Sequence, residues 1–328
     1  MQYLKDRIFS NYHISLYNDH LFEFPKDVNT ELTNAGIKKQ IKTLWGDGID
    51  YHQWADTPEF KNSLLLTNCQ FNSLPKHISD RIFTVNPSFY GAYYCDYPIK
   101  SVAVTKSFNC FINRLDPGRQ SWAFQLVRHN MFDHGYVSIN IDVSRHNNEL
   151  KNLNAQQAFE TCFRNHNLNF EHEYNVLKDL IPYKNFVDSG DVTDIVLATK
   201  FSIILETFFH DNTINTFSEK TFRCLQLPRP WVLFSTKGAV QLLRSLGFDV
   251  LDDIVDHSYD TIDDIAPRQA AIIESSKKLM LLDLDYVQDR CQLAVNNNKM
   301  VLKSMHSQWT INMENDLRNA KQRLLSLS

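Results

Sequence analysis

One short segment of the chain combines residue types that together can hold a diphosphate. Ser218, Glu219 and Lys220 precede an apolar run, and Arg223 follows three positions after Lys220. Thr216 and Glu219 have the spacing of a capping box, and Ser218 can cap instead, so the pattern predicts a helix start. A helix start offers unpaired N–H groups and a partial positive charge, and residues three apart share one face. Glu219 adds an acceptor for both hydroxyls of a ribose.

A simpler interpretation of the same residues stays open. Ser-Glu-Lys is a short and common sequence, and Glu219 can serve only as a helix cap. Lys220 and Arg223 would then be solvated surface cations. Residue types alone favour this simpler interpretation.

A second group of reactive side chains lies in the segment 45–54, which reads WGDGIDYHQW. Its glycines, aspartates and histidine are typical of a loop. Asp47 and Asp50 are candidates for a general base, and Trp45 and Trp54 can stack on a sugar or a base. The alternatives are ordinary turn aspartates and core tryptophans.

Other chemistries find no support in the sequence. Residues 283–285 read Asp-Leu-Asp, but they lie in a helical pattern that points the two carboxylates to diverging faces. The 12 histidines show no H-x-x-x-H or H-E-x-x-H spacing, so no zinc site is predicted. The chain also lacks G-x-x-x-x-G-K-[ST] and G-x-G-x-x-G, which disfavours a P-loop kinase and a dinucleotide oxidoreductase.

Alternating strands and helices are predicted around these residues. Short apolar runs predict strands over 63–67, 81–85, 107–112, 136–141, 231–235 and 248–251. Helices are predicted over 116–132, 219–227 and 238–246, with an apolar stretch over 194–205 and a helical tail over about 270–327. The strand–helix–strand unit over 107–141 implies a parallel pair with a right-handed crossover. The pattern indicates an α/β layer fold with a parallel sheet.

Composition narrows the class of protein. A chain of 328 residues suggests two domains, and 43% hydrophobic and 12% aromatic residues argue against disorder. A net charge of −4 gives no global basic field for nucleic acid. The 6 cysteines form no C-x-x-C pair, which is typical of reduced cytosolic thiols. No run of 18 apolar residues occurs, so we expect a cytoplasmic protein, of a cell or of an infected host, without a membrane span.

A longer block around Lys220 resembles a known family. It comprises Glu206, the run 217–223 with Ser-Glu-Lys, residues 229–232, Gly238, and the runs 243–248 and 256–260. This block resembles the donor-side block of a phage and bacterial family of glycosyltransferases. That family is related to the α-1,3-fucosyltransferases, in which a Thr/Ser-Glu-Lys helix precedes a proline-containing strand. Residues 106–138 resemble the start of the same donor lobe, so the resemblance covers about residues 100–270.

The resemblance implies an α/β fold of two facing Rossmann-like lobes, the GT-B type. The lobes would be an acceptor-side lobe over 1–99 and a donor lobe over 100–290, with C-terminal helices over 291–328 that can pack back on the first lobe. It implies a nucleoside-diphosphate sugar as co-substrate and a core chemistry that requires no metal.

The donor-binding residues follow from the same resemblance. Glu219 would bind the ribose, and Ser218, Lys220 and Arg223 belong to the same helix start. A cation from the run of Asn113, Arg114 and Arg119 would join Lys220 at the diphosphate. The chain departs from the family in two places: Arg223 precedes Cys224 where the family has lysine before proline, and residues 114–119 lack the usual His-Arg ending. Which arginine meets the phosphates is therefore open.

In such two-lobed enzymes the catalytic base comes from the first lobe. Asp47 and Asp50 are therefore the predicted catalytic residues, followed by Glu59 and Asp96.

The acceptor remains open between a glycan and a hydroxymethylated base of phage DNA. A DNA acceptor needs a basic rim, which can come from a group of cations near the C-terminus: Lys299, Lys303, Arg318, Lys321 and Arg323. The same cations can equally form a solvated helix face. The alternative function is a non-catalytic nucleotide-binding or virion-associated protein that retains the fold.

Overall fold

The structure, a computed structural model, describes residues 21–22, 41–44, 64–67, 70–71, 79, 82–84, 87–97, 99–112, 122, 125–139, 192–206, 214–215 and 217–326. The chain divides into two compact units, one of residues 1–95, 211–219 and 298–328 and one of residues 96–210 and 220–297. The assignment of an acceptor lobe over 1–99, a donor lobe over 100–290 and C-terminal helices over 291–328 stays a prediction.

The described residues contain ten strands and five α-helices. The strands are β1 (Leu21–Phe22), β2 (Ile41–Leu44), β3 (Leu64–Thr67), β4 (Gln70–Phe71), β5 (Ile82–Thr84), β6 (Lys106–Ile112), β7 (Gly135–Ile139), β8 (Thr199–Leu205), β9 (Ile214–Asn215) and β10 (Trp231–Phe234). The α-helices are α1 (Thr193–Leu197), α2 (Glu219–Leu225), α3 (Ala239–Ser245), α4 (Ile265–Met280) and α5 (Leu284–Ser326). Short 3-10 helices cover Pro87–Tyr93, Phe132–His134 and Ser258–Thr261, and residues 125–128 are also helical.

The unit that contains the first residues of the chain holds a four-stranded sheet in the order β1-β2-β3-β5. β1 is antiparallel to β2, whereas β2, β3 and β5 are parallel. The strands predicted over 63–67 and 81–85 are confirmed as β3 and β5. In the same unit a Cβ on Gly91 would lie 2.1 Å from the backbone nitrogen of His306, so this close approach requires glycine.

The other unit is built on a four-stranded parallel sheet in the order β10-β8-β6-β7. The predicted parallel pair is confirmed, because Phe108 to Ile112 of β6 pair in register with Gly135 to Ile139 of β7. β8 and β10 are almost wholly buried, as is typical of a parallel sheet covered on both faces. Trp231, at the start of β10, is 1% exposed and belongs to the core. The α/β class with a parallel sheet is therefore present, and the pairing of two Rossmann-like lobes remains a proposal.

The direction of chain progression reverses inside this sheet. β7 lies on one side of β6, and β8 and β10 lie on the other. Trp122, from the connection after β6, contacts the ring of Phe234 at 5.1 Å, whereas Cys224 of α2 hydrogen-bonds the Ser202 side chain. Phe234 pairs with Leu205, three positions after Ser202, so these contacts lie on opposite faces. The boundary between β6 and β8 is thus a topological switch point, where ligands of α/β sheets bind outside the carboxyl ends.

The strand predicted over 248–251 is wrong. These residues form no strand, although Phe248, Val250 and Leu251 are buried. Leu251 has φ 63°, a left-handed conformation that no strand accommodates. Side chains hold the segment instead, because Asp249 accepts the Leu251 N–H and His257 donates to the Val250 carbonyl.

The two C-terminal helices confirm the predicted helical tail, which begins at Ile265 and includes a break. Asp283 lies in the junction between α4 and α5, not inside a helix as predicted. Its carboxylate accepts the N–H of Asp285 at 3.1 Å, so it serves the first turn of α5. None of the described helices is both long and apolar enough to cross a membrane.

Candidate functional site

The candidate site lies at the carboxyl end of β8, beside the switch point. Glu206 directly follows β8 and is 1% exposed. Its N–H donates to the Phe234 carbonyl at 3.0 Å, which keeps the backbone next to the end of β10. Its carboxylate accepts a hydrogen bond from Thr221 Oγ1 at 2.5 Å. This contact fixes the first turn of α2 at the end of the central strand.

α2 buries its apolar residues and leaves its charged residues partly or fully exposed. Phe222 is fully buried, and its ring contacts Phe248 with centroids 6.1 Å apart. Lys220 and Arg223 are partly buried, and Glu219 is exposed. Lys220 directly precedes Thr221, so it lies in the turn of α2 that the bond to Glu206 holds.

The predicted helix over 219–227 is confirmed with a shorter C-terminus. α2 ends at Leu225, and residues 226–229 form turns. Pro228 and Pro230 explain the end of the helix, because proline lacks an N–H and disfavours helical backbone in the residue before it. Gln226 then donates from its side chain to the Phe222 carbonyl at 2.8 Å.

A buried polar cluster joins the strands under α2. Asn109 of β6 is 1% exposed and donates to Thr199 Oγ1 at 2.8 Å and to Ser202 Oγ at 2.9 Å. Thr199 Oγ1 in turn donates to the Val196 carbonyl at 2.8 Å, which links β8 to α1. The Cys224 thiol of α2 bonds Ser202, and burial raises its pKa to about 11, so it stays a neutral thiol. Buried polar groups that satisfy one another fix the register of the strands and the seat of α2.

The carboxyl end of β10 is held by a buried arginine. Arg268 of α4 is 1% exposed and donates to the Ser235 carbonyl and to the Asp263 carbonyl, both at 2.6 Å. Burial lowers the pKa of Arg268, although the guanidinium remains charged near neutral pH. Arg268 was not among the predicted site residues, because an arginine in an amphipathic helix is ordinarily a surface charge.

The start of α3 is capped by the protein's own carboxylate. Asp260 accepts the N–H groups of Val240 at 3.0 Å and Gln241 at 2.9 Å. Gly238 precedes the helix with φ 80°, a left-handed conformation that glycine adopts without strain. Burial raises the pKa of Asp260, against the hydrogen bonds that favour its charged form.

A pocket of about 500 Å³ lies beside α3, and its lining includes five charged residues: Lys237, Arg244, Asp252, Asp256 and Asp260. Arg244 forms a bidentate pair with Asp252, at 2.8 and 2.6 Å, and Lys278 bonds Asp256 at 2.7 Å. The bond from Lys278 holds the pKa of Asp256 down at about 2. Asp252 and Asp256 are thus paired with cations of the same unit, and Asp260, which also lines the pocket, caps α3, so these carboxylates serve the structure.

His257 closes the wall of this pocket in a satisfied network. Its Nδ1 accepts from the Tyr259 hydroxyl at 2.7 Å, and its Nε2 donates to the Val250 carbonyl at 2.8 Å. The Tyr259 oxygen also accepts the Leu233 N–H at 3.0 Å. Burial lowers the pKa of His257 and raises that of Tyr259, so both are neutral and structural near pH 7.

The predicted site residues divide into two groups. Ser218, Glu219, Lys220 and Arg223 lie at the start of α2 as predicted. The others lie outside the described residues: Asp47, Asp50, Asn113, Arg114 and Arg119, together with Trp45, Trp54 and Glu59. Two of the latter, Asn113 and Arg114, directly follow β6 in sequence, at the other strand of the switch point.

The remaining candidates are partly described. Asp96 is exposed. Lys299 is partly buried and Lys303 is exposed, whereas the side chains of Arg318, Lys321 and Arg323 lie outside the described part. Among the residues that the structure describes, no group of three or more His, Cys, Asp or Glu could hold a metal ion.

Comparison with known proteins adds no relative. No family model matches the chain, and no curated protein or solved structure matches it.

Proposed function

We propose that the protein is a nucleotide-sugar-dependent glycosyltransferase whose donor diphosphate binds beside Lys220. The observation that supports this most is the bond between Thr221 and Glu206. It fixes a lysine-bearing turn at the carboxyl end of β8, next to the switch point at which α/β sheets bind nucleotides.

The proposed chemistry requires a stabilised leaving group. When the glycosidic bond to the donor breaks, negative charge develops on the diphosphate, and a positioned cation stabilises that charge. Lys220 is proposed to supply this cation with one of Arg114 and Arg119, while Glu219 binds the ribose. Arg223, three positions after Lys220, is the other cation on the same helix face.

The residues proposed to act on the acceptor are predicted from the sequence alone. A carboxylate is proposed to take the proton of the acceptor hydroxyl, with Asp47 and Asp50 as the candidates. The acceptor is a glycan or a hydroxymethylated DNA base. Assays with radiolabelled donor on both acceptor classes will separate them.

The test of the donor site is nucleotide binding measured by calorimetry with UDP, GDP, CDP and ADP. Lys220→Ala removes a charge-assisted contact of about 1.5–3 kcal/mol, so affinity for the preferred nucleotide should fall roughly tenfold or more. Its melting temperature should stay unchanged. Lys100→Ala is the matched control, because Lys100 is exposed and pairs with Asp194 at 3.5 Å in the same unit. Equal affinities of wild type and Lys220→Ala would refute the donor site.

Measuring turnover of nucleotide sugars distinguishes a glycosyltransferase from a non-catalytic nucleotide-binding protein. A transferase should hydrolyse or transfer from the nucleotide sugar whose nucleotide it binds. Nucleotide binding that is lost in Lys220→Ala, without turnover of any donor, would identify a non-catalytic nucleotide-binding protein instead.

A further inference from the structure

α5 carries apolar residues on two opposite faces. One face is buried in the protein and includes Val287, Cys291, Ala294, Val295 and Leu302. The opposite face exposes four large side chains, with exposed fractions of 89% for Tyr286, 65% for Leu293, 66% for Met300 and 66% for Ile311. We refer to these four residues as the α5 stripe.

The stripe is narrow and regular. Tyr286, Leu293 and Met300 follow one another at intervals of seven, and Ile311 follows after eleven. At about 100° per residue, all four lie within roughly 40° of one another around the helix. Apolar residues that recur at such intervals stay on one side of a helix, so the stripe offers a continuous line of contact to a second helix.

The charged residues beside the stripe are acidic along its first half and basic along its second half. Asp285 and Asp289 flank the first half, and Lys299 and Lys303 flank the second. By helix geometry all four lie on the same side of the stripe. The flank is therefore acidic at one end and basic at the other.

We propose that α5 pairs in antiparallel orientation with α5 of a second copy of this chain, forming a homodimer through the stripe. In this orientation Leu293 packs beside Met300 of the other copy, and Asn296 lies next to the twofold axis. Asp289 of each copy then faces Lys303 of the other. In a parallel pair the twofold axis would run along the helices and place this flank on opposite sides of the seam in the two copies, so Asp289 would not face Lys303. The charge pairs therefore favour the antiparallel dimer.

The apolar contact is tested by sedimentation velocity over concentrations of about 1–100 µM. Wild type should show a monomer–dimer equilibrium, and the double variant Leu293→Glu/Met300→Glu should be monomeric throughout. Gln288→Glu is the control, because Gln288 is exposed on α5 away from the stripe and should not alter the equilibrium. A wild-type monomer at about 100 µM would overturn the proposal and assign the stripe to another occupant, such as a segment of the same chain.

The orientation is tested by charge reversal. Asp289→Lys and Lys303→Asp should each weaken the dimer roughly tenfold or more, because each creates two like-charge contacts. The double variant Asp289→Lys/Lys303→Asp should restore wild-type association. If neither single reversal weakens a dimer that Leu293→Glu/Met300→Glu abolishes, the antiparallel arrangement is wrong. Thermal unfolding monitored by circular dichroism will confirm that the exposed substitutions leave the monomer folded.

Discussion

The carboxyl ends of β8 and β10 are neighbours in one parallel sheet, and each is followed in the chain by a seven-residue helix. At β10 the protein closes the edge with its own groups. Asp260 caps α3, and the buried Arg268 bonds the Ser235 carbonyl. At β8 the contact comes from inside α2, where Thr221 bonds Glu206 and Lys220 stands in the same turn.

We infer that the carboxyl end of β10 mainly stabilises the fold, whereas the carboxyl end of β8 can also bind a ligand. Around β10 the charged groups bond one another or the backbone, so their removal should mainly lower the free energy of unfolding. Around β8 the buried bond from Thr221 to Glu206 holds the lysine-bearing turn of α2 beside the switch point. Its removal should lower the free energy of unfolding moderately and also weaken ligand binding.

The largest effect is expected from Arg268→Met. This change removes two charge-assisted hydrogen bonds from a fully buried site, so the free energy of unfolding should fall by about 3–5 kcal/mol. Urea denaturation of wild type and variant measures the fall. Arg244→Met is the matched control: Arg244 is also paired bidentately, but its side chain is 30% exposed, so its loss should be about 1 kcal/mol or less. Similar losses in the two variants would contradict the structural role of Arg268.

Most strands of the two sheets could be predicted from the sequence, and one predicted strand was wrong. Apolar runs identified β3, β5, β6, β7 and β10, because a short apolar run bounded by turn residues is the local pattern of a buried strand. The same rule failed at residues 248–251, where a left-handed Leu251 and side-chain bonds replace a strand. A local apolar pattern cannot distinguish a buried strand from a buried irregular segment, because both bury the same apolar residues.

Only the part of the candidate site that depends on local sequence could be predicted. The start of α2 followed from capping residues, which act locally. The partner of Thr221 is 15 positions away, and the partners of Asn109 are about 90 positions away. Such contacts depend on strand order, which periodicity does not encode. A buried asparagine in the middle of an apolar strand is the one signal that could have indicated the cluster.

A moderate effect is expected from Thr221→Val. Valine keeps the shape of threonine but removes the hydroxyl that donates to Glu206, so the free energy of unfolding should fall by about 1–3 kcal/mol. Nucleotide affinity should fall as well, because the turn that carries Lys220 loses its anchor. Thr221→Ser keeps the hydroxyl and is the control for both measurements. Loss of stability in Thr221→Val with nucleotide affinity intact would separate this contact from the binding site.

The smallest effect is expected from Asp256→Asn, and it depends on pH. Asp256 lies near the β10 edge, where Lys278 holds its pKa at about 2, below the ordinary value of 3.8. A lowered carboxyl pKa contributes stability that is present above the ordinary value and is lost as pH falls toward the folded value.

Because the Asp256 side chain is 42% exposed, solvent screening should limit this contribution to less than about 1 kcal/mol. Urea denaturation at pH 7 should therefore show Asp256→Asn slightly less stable than wild type. The difference should shrink between about pH 4 and pH 2, where the wild-type carboxylate gains its proton. A difference that stays constant across this range would show that the Lys278 pair contributes nothing through charge. The paired cations around β10 would then act only through packing, which would weaken the contrast with the β8 edge.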